Sequence, residues 1–275
     1  MSTFAYYNGV FDLYENIRIP LSDRAIFFGD GVYDAAIGRG DKIFLLDKHI
    51  KRFLGNLKRL GIALELDEDA LKKQLYSVVN KCNFDTFFLY LQASRDMPER
   101  THSNLKSTST NLLITVKECA PPSPTPMRLH IAEDLRYFYC DIKTLNLLPQ
   151  TLYASEAEKN GYDECILHRR GTVTECSHSN VSIIKSGVLY THPCSPLILP
   201  GITRESILSF CEEHDIPFKE QAFSLDELYD ADDIIVSSTT KLACPGALAD
   251  KKFTYSPLCE KICEGLKKQF VEFAL

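Results

Sequence analysis

The stretch CAPPSPTP, residues 119–126, divides the sequence into two halves. It holds four prolines within eight residues. Because proline fixes φ and lacks a backbone N–H donor, such a stretch disfavours both a helix and a central strand and favours a stiff, extended connector. We therefore predict an N-terminal lobe over residues 1–118, a linker over 119–126 and a C-terminal lobe over 127–275.

Strand-type and helix-type patterns alternate in the N-terminal half. The apolar runs TFFLYLQAS (86–94) and NLLITVK (111–117) predict strands. In DKHIKRFLGNLKRLG (47–61), apolar residues recur on one face of a helix, which we predict Asp47 to cap and Gly61 to end. A second amphipathic helix is predicted to follow the first.

Short strands dominate the C-terminal half. We predict them at ECILH (164–168), TVTE (172–175), NVSII (180–184), VLYTH (188–192) and DIIV (233–236). Turns at Arg170-Gly171 and Ser186-Gly187 separate some of them, and this spacing predicts an antiparallel or barrel-like sheet. Helices are predicted over residues 203–214 and 257–273, the second with Ser256 as its cap. The predicted fold class is therefore α+β, in two lobes.

The composition excludes several classes of function. The chain has 275 residues, of which 45% are hydrophobic, and a formal net charge of -6, with no basic run that would indicate a nucleic-acid partner. We find no apolar run long enough to span a membrane and no signal-peptide pattern, so we expect a cytoplasmic protein without membrane contact. Ten cysteines without C-x-x-C pairs are expected to be reduced thiols, and no metal site is expected from the cysteine and histidine spacing.

The segment YCDIKTLNLL (139–148) places Lys143 among apolar residues. Burial disfavours the ammonium form of lysine and yields a neutral amine, which is able to attack a carbonyl group. Taken alone, the pattern favours the ordinary alternative, a lysine that extends its ammonium group into water.

Glu175 ends the predicted strand TVTE and begins a polar run. A carboxylate that points inward from this position needs a partner with a proton to share. The nitrogen of a pyridinium ring is one such partner, and an arginine elsewhere in the chain is another. The sequence leaves both alternatives open.

Two stretches have the residues of an anion site. LPGITRESIL (199–208) runs from a Pro-Gly turn into a helix, where the free amide groups of Ile202 and Thr203 attract negative charge. The hydroxyl cluster at residues 237–240, which includes Thr239, follows a buried strand and suits a phosphate. A plain capped helix and a polar turn are the ordinary alternatives.

The long polar loop RDMPERTHSNLKSTST (95–110) contains Arg100 and His102. A guanidinium group two residues from an imidazole is able to hold a carboxylate, whereas a solvated surface loop is the alternative. Arg52 lies nearly opposite the apolar stripe of its helix, so helical periodicity predicts a solvent-exposed side chain.

Taken together in chain order, seven motifs resemble the class IV (fold-type IV) pyridoxal-phosphate-dependent aminotransferases. Within that family, the bacterial D-amino-acid aminotransferases are the most similar. The motifs are GDGVYD (29–34) with Tyr33, HIKRF with Arg52, RTH with Arg100 and His102, CDIKTLNLL with Lys143, TVTECSHSN with Glu175, LPGITR and SSTT. The resemblance covers nearly the whole chain, and it implies a smaller N-terminal α/β sandwich lobe and a larger C-terminal pseudo-barrel lobe.

The resemblance also implies pyridoxal 5'-phosphate as the cofactor. Lys143 would form a Schiff base with it and move the proton between substrate and cofactor. Glu175 would pair with the ring nitrogen. The phosphate would be held by Arg52, Ile202, Thr203 and Thr239, a role for Arg52 that disagrees with the exposed position given by periodicity.

The substrates implied are a D-amino acid such as D-alanine and a 2-oxo acid such as 2-oxoglutarate or pyruvate. Tyr33, Arg100 and His102 match the residues that hold the substrate carboxylate, with Arg100 and His102 supplied by the other subunit of a homodimer with shared active sites. Aminodeoxychorismate lyase and branched-chain L-amino-acid aminotransferase are the alternatives on the same fold. A noncatalytic cofactor-binding protein is a third.

Four residues depart from the family pattern. Cys176 and His178 stand where small residues are usual after the glutamate, and a histidine near the cofactor would add a titrating group. Ala35 and Ala36 are smaller than the branched residue expected beside the side-chain pocket. We therefore expect a wider pocket that accepts bulkier D-amino acids.

Overall fold

The structure is a computed structural model that describes residues 3–97, 99–105, 107, 109–248 and 254–274. Its backbone divides into two compact units. The first comprises the described residues up to Pro121 together with Ile142–Asn146, and the second comprises the described residues of Pro122–Asp141 and Leu147–Phe273. The division at Pro121 falls inside the stretch predicted as the linker, which has no regular secondary structure. The prediction placed Ile142–Asn146 in the C-terminal lobe, whereas this segment belongs to the first unit.

The first unit is built on one six-stranded sheet. Its strands are β1 (Thr3–Tyr7), β2 (Val10–Leu13), β3 (Gly31–Arg39), β4 (Lys42–Ile43), β5 (Thr86–Asp96) and β6 (Ser109–Glu118). They lie in the order β2-β1-β6-β5-β3-β4, and all neighbours are antiparallel. The predicted strands at 86–94 and 111–117 are confirmed as parts of β5 and β6.

The described residues of this unit form three α-helices, α1 (Ala25–Phe28), α2 (Leu46–Leu60) and α3 (Glu68–Val79), and one short 3-10 helix at Tyr14–Asn16. Apolar residues of α2 and α3, among them Ile50, Phe53 and Leu71, pack with the sheet in one core. The packing of these two apolar stripes confirms the helices predicted from periodicity.

The ends of α2 test the predicted caps. Gly61 adopts a left-handed conformation with φ 64° directly after the helix, which confirms it as the terminator. The prediction for Asp47 is wrong, because the helix begins two residues earlier than that cap requires, at Leu46, and its N-cap is Leu45. Asp47 instead lies in the first turn, where its carboxylate is 2.9 Å from the Lys72 ammonium nitrogen.

The second unit is built on an eight-stranded sheet. Its strands are β7 (Met127–Glu133), β8 (Glu164–Arg169), β9 (Thr172–Cys176), β10 (Asn180–Lys185), β11 (Val188–Thr191), β12 (Phe218–Glu220), β13 (Asp233–Ser238) and β14 (Leu242–Leu248). The order is β12-β11-β10-β13-β14-β7-β8-β9. All five predicted strands are present, but the sheet is mixed rather than antiparallel, because β11–β12, β14–β7 and β7–β8 are parallel pairs.

The sheet of the second unit curls. Strand β9 stands at one edge and β10 is third from the other edge. Only residues 177–179 separate them, and the Cys176 N–H donates to the Ser179 carbonyl oxygen at 2.8 Å. A three-residue turn can join these strands only if the edge of the sheet bends back, as the pseudo-barrel expectation requires.

Among the residues of this unit that the structure describes, four helices accompany the sheet: α4 (Leu148–Lys159), α5 (Ile202–Glu213), α6 (Leu225–Tyr229) and α7 (Pro257–Phe273). The Ser256 hydroxyl accepts a hydrogen bond from the Cys259 N–H at 3.2 Å, which confirms the predicted cap of α7. In the part of the chain that the structure describes, no helix combines the length and apolar character needed to cross a membrane. All ten cysteines lie in that part and are free, and most of them are buried.

Candidate active site

Ile142–Asn146, the Lys143 segment, is attached to the start of β3 through its backbone. The Tyr33 N–H donates to the Lys143 carbonyl oxygen at 2.9 Å, and the Leu145 N–H donates to the Gly31 carbonyl oxygen at 3.2 Å. These two bonds form an antiparallel bridge between Val32 and Thr144. The backbone of Lys143 is therefore fixed beside Tyr33, which brings two of the predicted site residues together.

The glycines of GDGVYD make room for this segment. A Cβ atom on Gly31 would lie 2.6 Å from the Ala93 carbonyl oxygen and 2.7 Å from a methyl group of Leu145. Gly29 has φ +57°, and its carbonyl oxygen accepts a hydrogen bond from the Asn146 amide at 3.0 Å. The motif thus serves to seat the Lys143 segment on the sheet.

The amine of Lys143 belongs to a half-buried side chain and lies 4.3 Å from the centre of the Tyr33 ring. The Tyr33 ring is stacked on the ring of Tyr90, with centroids 5.4 Å apart. Over the described ranges, we find neither a hydrogen bond nor a carboxylate partner for this amine. An amine held in this way is available to a ligand.

The prediction that Arg52 is exposed is wrong, since its side chain is only 11% exposed. Its guanidinium group binds Asp34 of β3 through two bonds, Nε to Oδ2 at 2.8 Å and Nη2 to Oδ1 at 2.7 Å. Periodicity failed because the buried arc of α2 is wider than its apolar stripe and includes the polar residues His49 and Asn56.

Asp34 has a third hydrogen-bond partner, because its Oδ1 atom lies 2.8 Å from His49 Nδ1. Burial raises the pKa of Asp34, but the charge of Arg52 and the bonds from His49 and Arg52 outweigh burial and hold the pKa well below its usual value. Burial is also the largest cause of the lowered pKa of His49. Neither Asp34 nor His49 was a predicted site residue, although the motifs GDGVYD and HIKRF contain them.

In the second unit, Glu175 is buried and its partner is an arginine, one of the two alternatives left open by the sequence. Arg136 Nη1 lies 2.5 Å from Glu175 Oε1. The other oxygen accepts hydrogen bonds from Asn180 Nδ2 at 3.1 Å and from the Leu199 N–H at 3.0 Å. Both carboxylate oxygens therefore have fixed positions.

Arg136 belongs to a buried group of charges that sequence reasoning missed. Its Nε and Nη2 atoms each lie 2.9 Å from an oxygen of Asp134, which also accepts from Arg169 Nε at 3.1 Å. Burial raises the pKa of Asp134, but Arg136 and Arg169 together hold it below its usual value. No motif marks Arg136 in the sequence; only the buried carboxylate of Glu175 signals that a cation must be near.

The start of α5 has the features of an anion site. Its N-cap is Gly201, which has no side chain to bind the amide groups of the first turn, and Ile202 and Thr203 are buried. The hydroxyl cluster needs a correction, because Ser237 and Ser238 belong to β13 and only Thr239 and Thr240 lie in the following turn. Ser237 Oγ is buried without a hydrogen-bond partner.

Arg100 and His102 lie against a different set of residues in the first unit. The Arg100 guanidinium is 5.0 Å from the Phe28 ring centre, and the His102 ring is 5.5 Å from the same ring. Arg24 donates to the carbonyl oxygens of Thr101 and His102 and thereby fixes the backbone at these two residues. Both side chains are exposed.

The departures from the family pattern occupy distinct places. Cys176 is buried in the core of the second unit, where burial keeps its pKa well above the usual value. His178 is 60% exposed, with Nδ1 3.1 Å from the buried Glu164. Ala36 lies in the core of the first unit, whereas Ala35 is half-buried on the face of β3 that carries Tyr33.

Comparison with known proteins identifies the family. Residues 31–247 match the amino-transferase class IV family. The chain is 34% identical over 271 residues to a D-alanine aminotransferase of Staphylococcus aureus (strain MSSA476), with 96% of both chains covered. A branched-chain aminotransferase from Thermoproteus uzoniensis, solved with norvaline, has a TM-score of 0.89 at 22% identity and covers 99% of this chain and 98% of its own. A branched-chain amino acid aminotransferase from T.th., complexed with N-(5'-phosphopyridoxyl)-L-glutamate, has a TM-score of 0.88 at 21% identity, over 100% of this chain and 95% of its own.

The chain belongs to the class IV aminotransferases. It is a pyridoxal-phosphate-dependent transaminase with a fold-type IV, α+β architecture.

Each unit, taken by itself, contains described residues of the kind that this cofactor requires. In the first unit, Lys143 offers an amine without a hydrogen-bond partner. In the second unit, Glu175 offers a buried carboxylate, and the start of α5, which has no side-chain cap, offers amide groups for a phosphate. The buried Ser237 hydroxyl group, which also belongs to the second unit, has no hydrogen-bond partner among the described residues.

Proposed function

We propose that the protein transfers the amino group of a D-amino acid such as D-alanine to a 2-oxo acid such as 2-oxoglutarate or pyruvate. The half-buried side chain of Lys143, fixed by its backbone beside Tyr33, carries this proposal because a transaminase needs one lysine that binds the cofactor and moves a proton. The substrate class is supported by the relatives named D-alanine aminotransferase, which match at 34% identity over nearly the whole chain.

Each site residue has a proposed task. Pyridoxal phosphate, when bound, supplies the aldehyde and the electron-withdrawing ring. Lys143 Nζ would hold the cofactor and, once released from it, would move the proton from the substrate Cα to the cofactor. Tyr33 restricts the position of this amine, since the Nζ atom lies over its ring. Glu175 accepts the hydrogen bond of the ring nitrogen.

The phosphate is proposed to bind to four groups: the Arg52 guanidinium, the amides of Ile202 and Thr203, and the Thr239 hydroxyl. Asp34 sets the orientation of the Arg52 side chain before any phosphate binds, because two of the guanidinium nitrogen atoms are bound to its carboxylate. A guanidinium held by a buried carboxylate loses little further freedom when it binds an anion.

We also propose a cytoplasmic homodimer in which Arg100 and His102 hold the substrate carboxylate in the partner's active site, together with Tyr33 of that partner. This assignment is supported by the exposure of Arg100 and His102 and by the bonds from Arg24 that fix the backbone at residues 101 and 102. Sedimentation should give twice the chain mass of 31.2 kDa. Mixing an Arg100→Ala variant with a Lys143→Ala variant, each inactive alone, should restore part of the activity through hybrid dimers.

The test of the function uses paired half-reactions. The cofactor-loaded enzyme is mixed with the D and L forms of alanine, glutamate and leucine, and the absorbance of the bound cofactor is followed. We expect rapid loss of the absorbance with D-amino acids, and pyruvate formation when D-alanine and 2-oxoglutarate are combined. A preference for L-leucine would contradict the proposal, as would pyruvate released from aminodeoxychorismate without an acceptor.

A further inference from the structure

All three nitrogen atoms of the Arg136 guanidinium group donate hydrogen bonds to other groups of the protein. Its guanidinium donates from Nε and Nη2 to the two oxygens of Asp134, from Nη1 to Glu175, and from Nη2 to the Leu197 carbonyl oxygen at 3.2 Å. The side chain is only 3% exposed. It therefore has one orientation, which is set by the protein.

The charges around Arg136 balance one another. Asp134 and Glu175 supply two carboxylates, and Arg136 and Arg169 supply two guanidinium groups. Burial lowers the pKa of Arg136, but the neighbouring carboxylates outweigh burial and raise it, so this group stays charged. A buried carboxylate beside a permanent cation is favoured in its ionised form.

The consequence concerns the proton between Glu175 and the nitrogen of a pyridine ring. A proton shared by two bases resides on the stronger one. A guanidinium group 2.5 Å from Glu175 Oε1 withdraws charge from the carboxylate and makes it the weaker base. The hydrogen bonds from Asn180 and Leu199 to Oε2 act in the same direction.

We propose that Arg136 is a positioning residue that keeps Glu175 ionised and oriented, so that the shared proton stays on the ring nitrogen of the cofactor. The inference rests on the proposed role of Glu175. It assigns to Arg136 a task in the reaction without any contact between Arg136 and the reacting atoms.

The experiment measures the protonation of the ring nitrogen directly. Holoprotein is prepared with pyridoxal phosphate labelled with 15N, and the 15N chemical shift is recorded together with the cofactor Kd. The variants are Glu175→Gln, Arg136→Lys and the pair Arg136→Gln with Asp134→Asn, which removes one charge of each sign and leaves the net charge of the group unchanged. Arg169→Lys is the matched control, because Arg169 bonds to Asp134 and to the Arg136 carbonyl oxygen.

We expect a protonated ring nitrogen in the wild type and in Arg169→Lys. The paired variant should move the 15N shift toward the unprotonated value. Arg136→Lys keeps the positive charge and should therefore keep the protonated value, while the cofactor Kd rises about tenfold because lysine lacks the two-pronged geometry of the guanidinium group. A protonated nitrogen in the paired variant would overturn the inference.

A second comparison decides the matter if the paired variant does not fold. In a Glu175→Gln background, Arg136→Lys should change Kd no further, because Arg136 acts through Glu175. An undiminished effect there would show a general structural role and overturn the inference. If instead the wild-type nitrogen is unprotonated, or Glu175→Gln leaves it unchanged, the proposed role of Glu175 itself fails.

Discussion

Replacement of Asp34 by asparagine tests the buried arrangement that orients Arg52. Asp34 and Arg52 have side-chain exposures of only 2% and 11%, and the carboxylate accepts two bonds from the guanidinium group. Asparagine has nearly the same shape but no charge and one acceptor atom fewer. Because the change leaves a buried guanidinium without its counter-charge, we expect the free energy of unfolding to fall by about 3 kcal/mol.

The matched control is Asp85→Asn. Asp85 also pairs with an arginine, Arg39, but the distance is 3.6 Å and the exposures are 75% and 40%. Exposed pairs of this kind contribute less than about 1 kcal/mol. The assay is urea unfolding followed by far-UV circular dichroism, since the chain has no tryptophan. Equal losses in the two variants, or a loss below about 1 kcal/mol for Asp34→Asn, would refute the reasoning.

Three further predictions concern individual residues. Gly31→Ala should displace the Lys143 segment and raise the Kd for pyridoxal phosphate at least about tenfold, as measured by absorbance titration; an unchanged Kd would contradict it. The pKa of His49 is lower in the folded protein than in the unfolded chain, so below pH 6.5 the unfolded chain binds a proton more readily. The free energy of unfolding should therefore be highest above pH 6.5 and fall at lower pH by up to about 1.4 kcal/mol per pH unit. His49→Asn should flatten that slope and exposed His102→Asn should not. Ala35→Leu should lower kcat/KM for D-leucine relative to D-alanine about tenfold, whereas Ala36→Leu should lower stability and keep the ratio.

Local patterns were sufficient for most of the fold. The strands at 86–94 and 111–117 and the helix ending at Gly61 could be predicted because each depends on the spacing of apolar residues and on one terminating residue. The parallel pairing of β7 with β8 and β14 could not, since it is decided by partners distant in sequence. For the same reason, the attachment of Ile142–Asn146 to β3 was missed, because it depends on two long-range backbone bonds.

The candidate site shows the same limit. The motif around Lys143 and the glycines of GDGVYD are local, and their packing against one another explains why both are present. Arg52 was predicted to be exposed, but the buried carboxylate of Asp34 offsets the cost of burying its charge. Helical periodicity counts only apolar positions and takes no account of such an ion pair. Arg136 was not identified for a related reason: its importance comes from Glu175, 39 positions away.

The most direct test of the account is to find which amine carries the cofactor. The protein is loaded with pyridoxal phosphate, reduced with borohydride and digested, and the modified peptide is identified by mass spectrometry. We predict a single phosphopyridoxyl group on Lys143, which disappears in a Lys143→Arg variant that still folds. A phosphopyridoxyl group on another lysine, with Lys143 unmodified, would contradict the account.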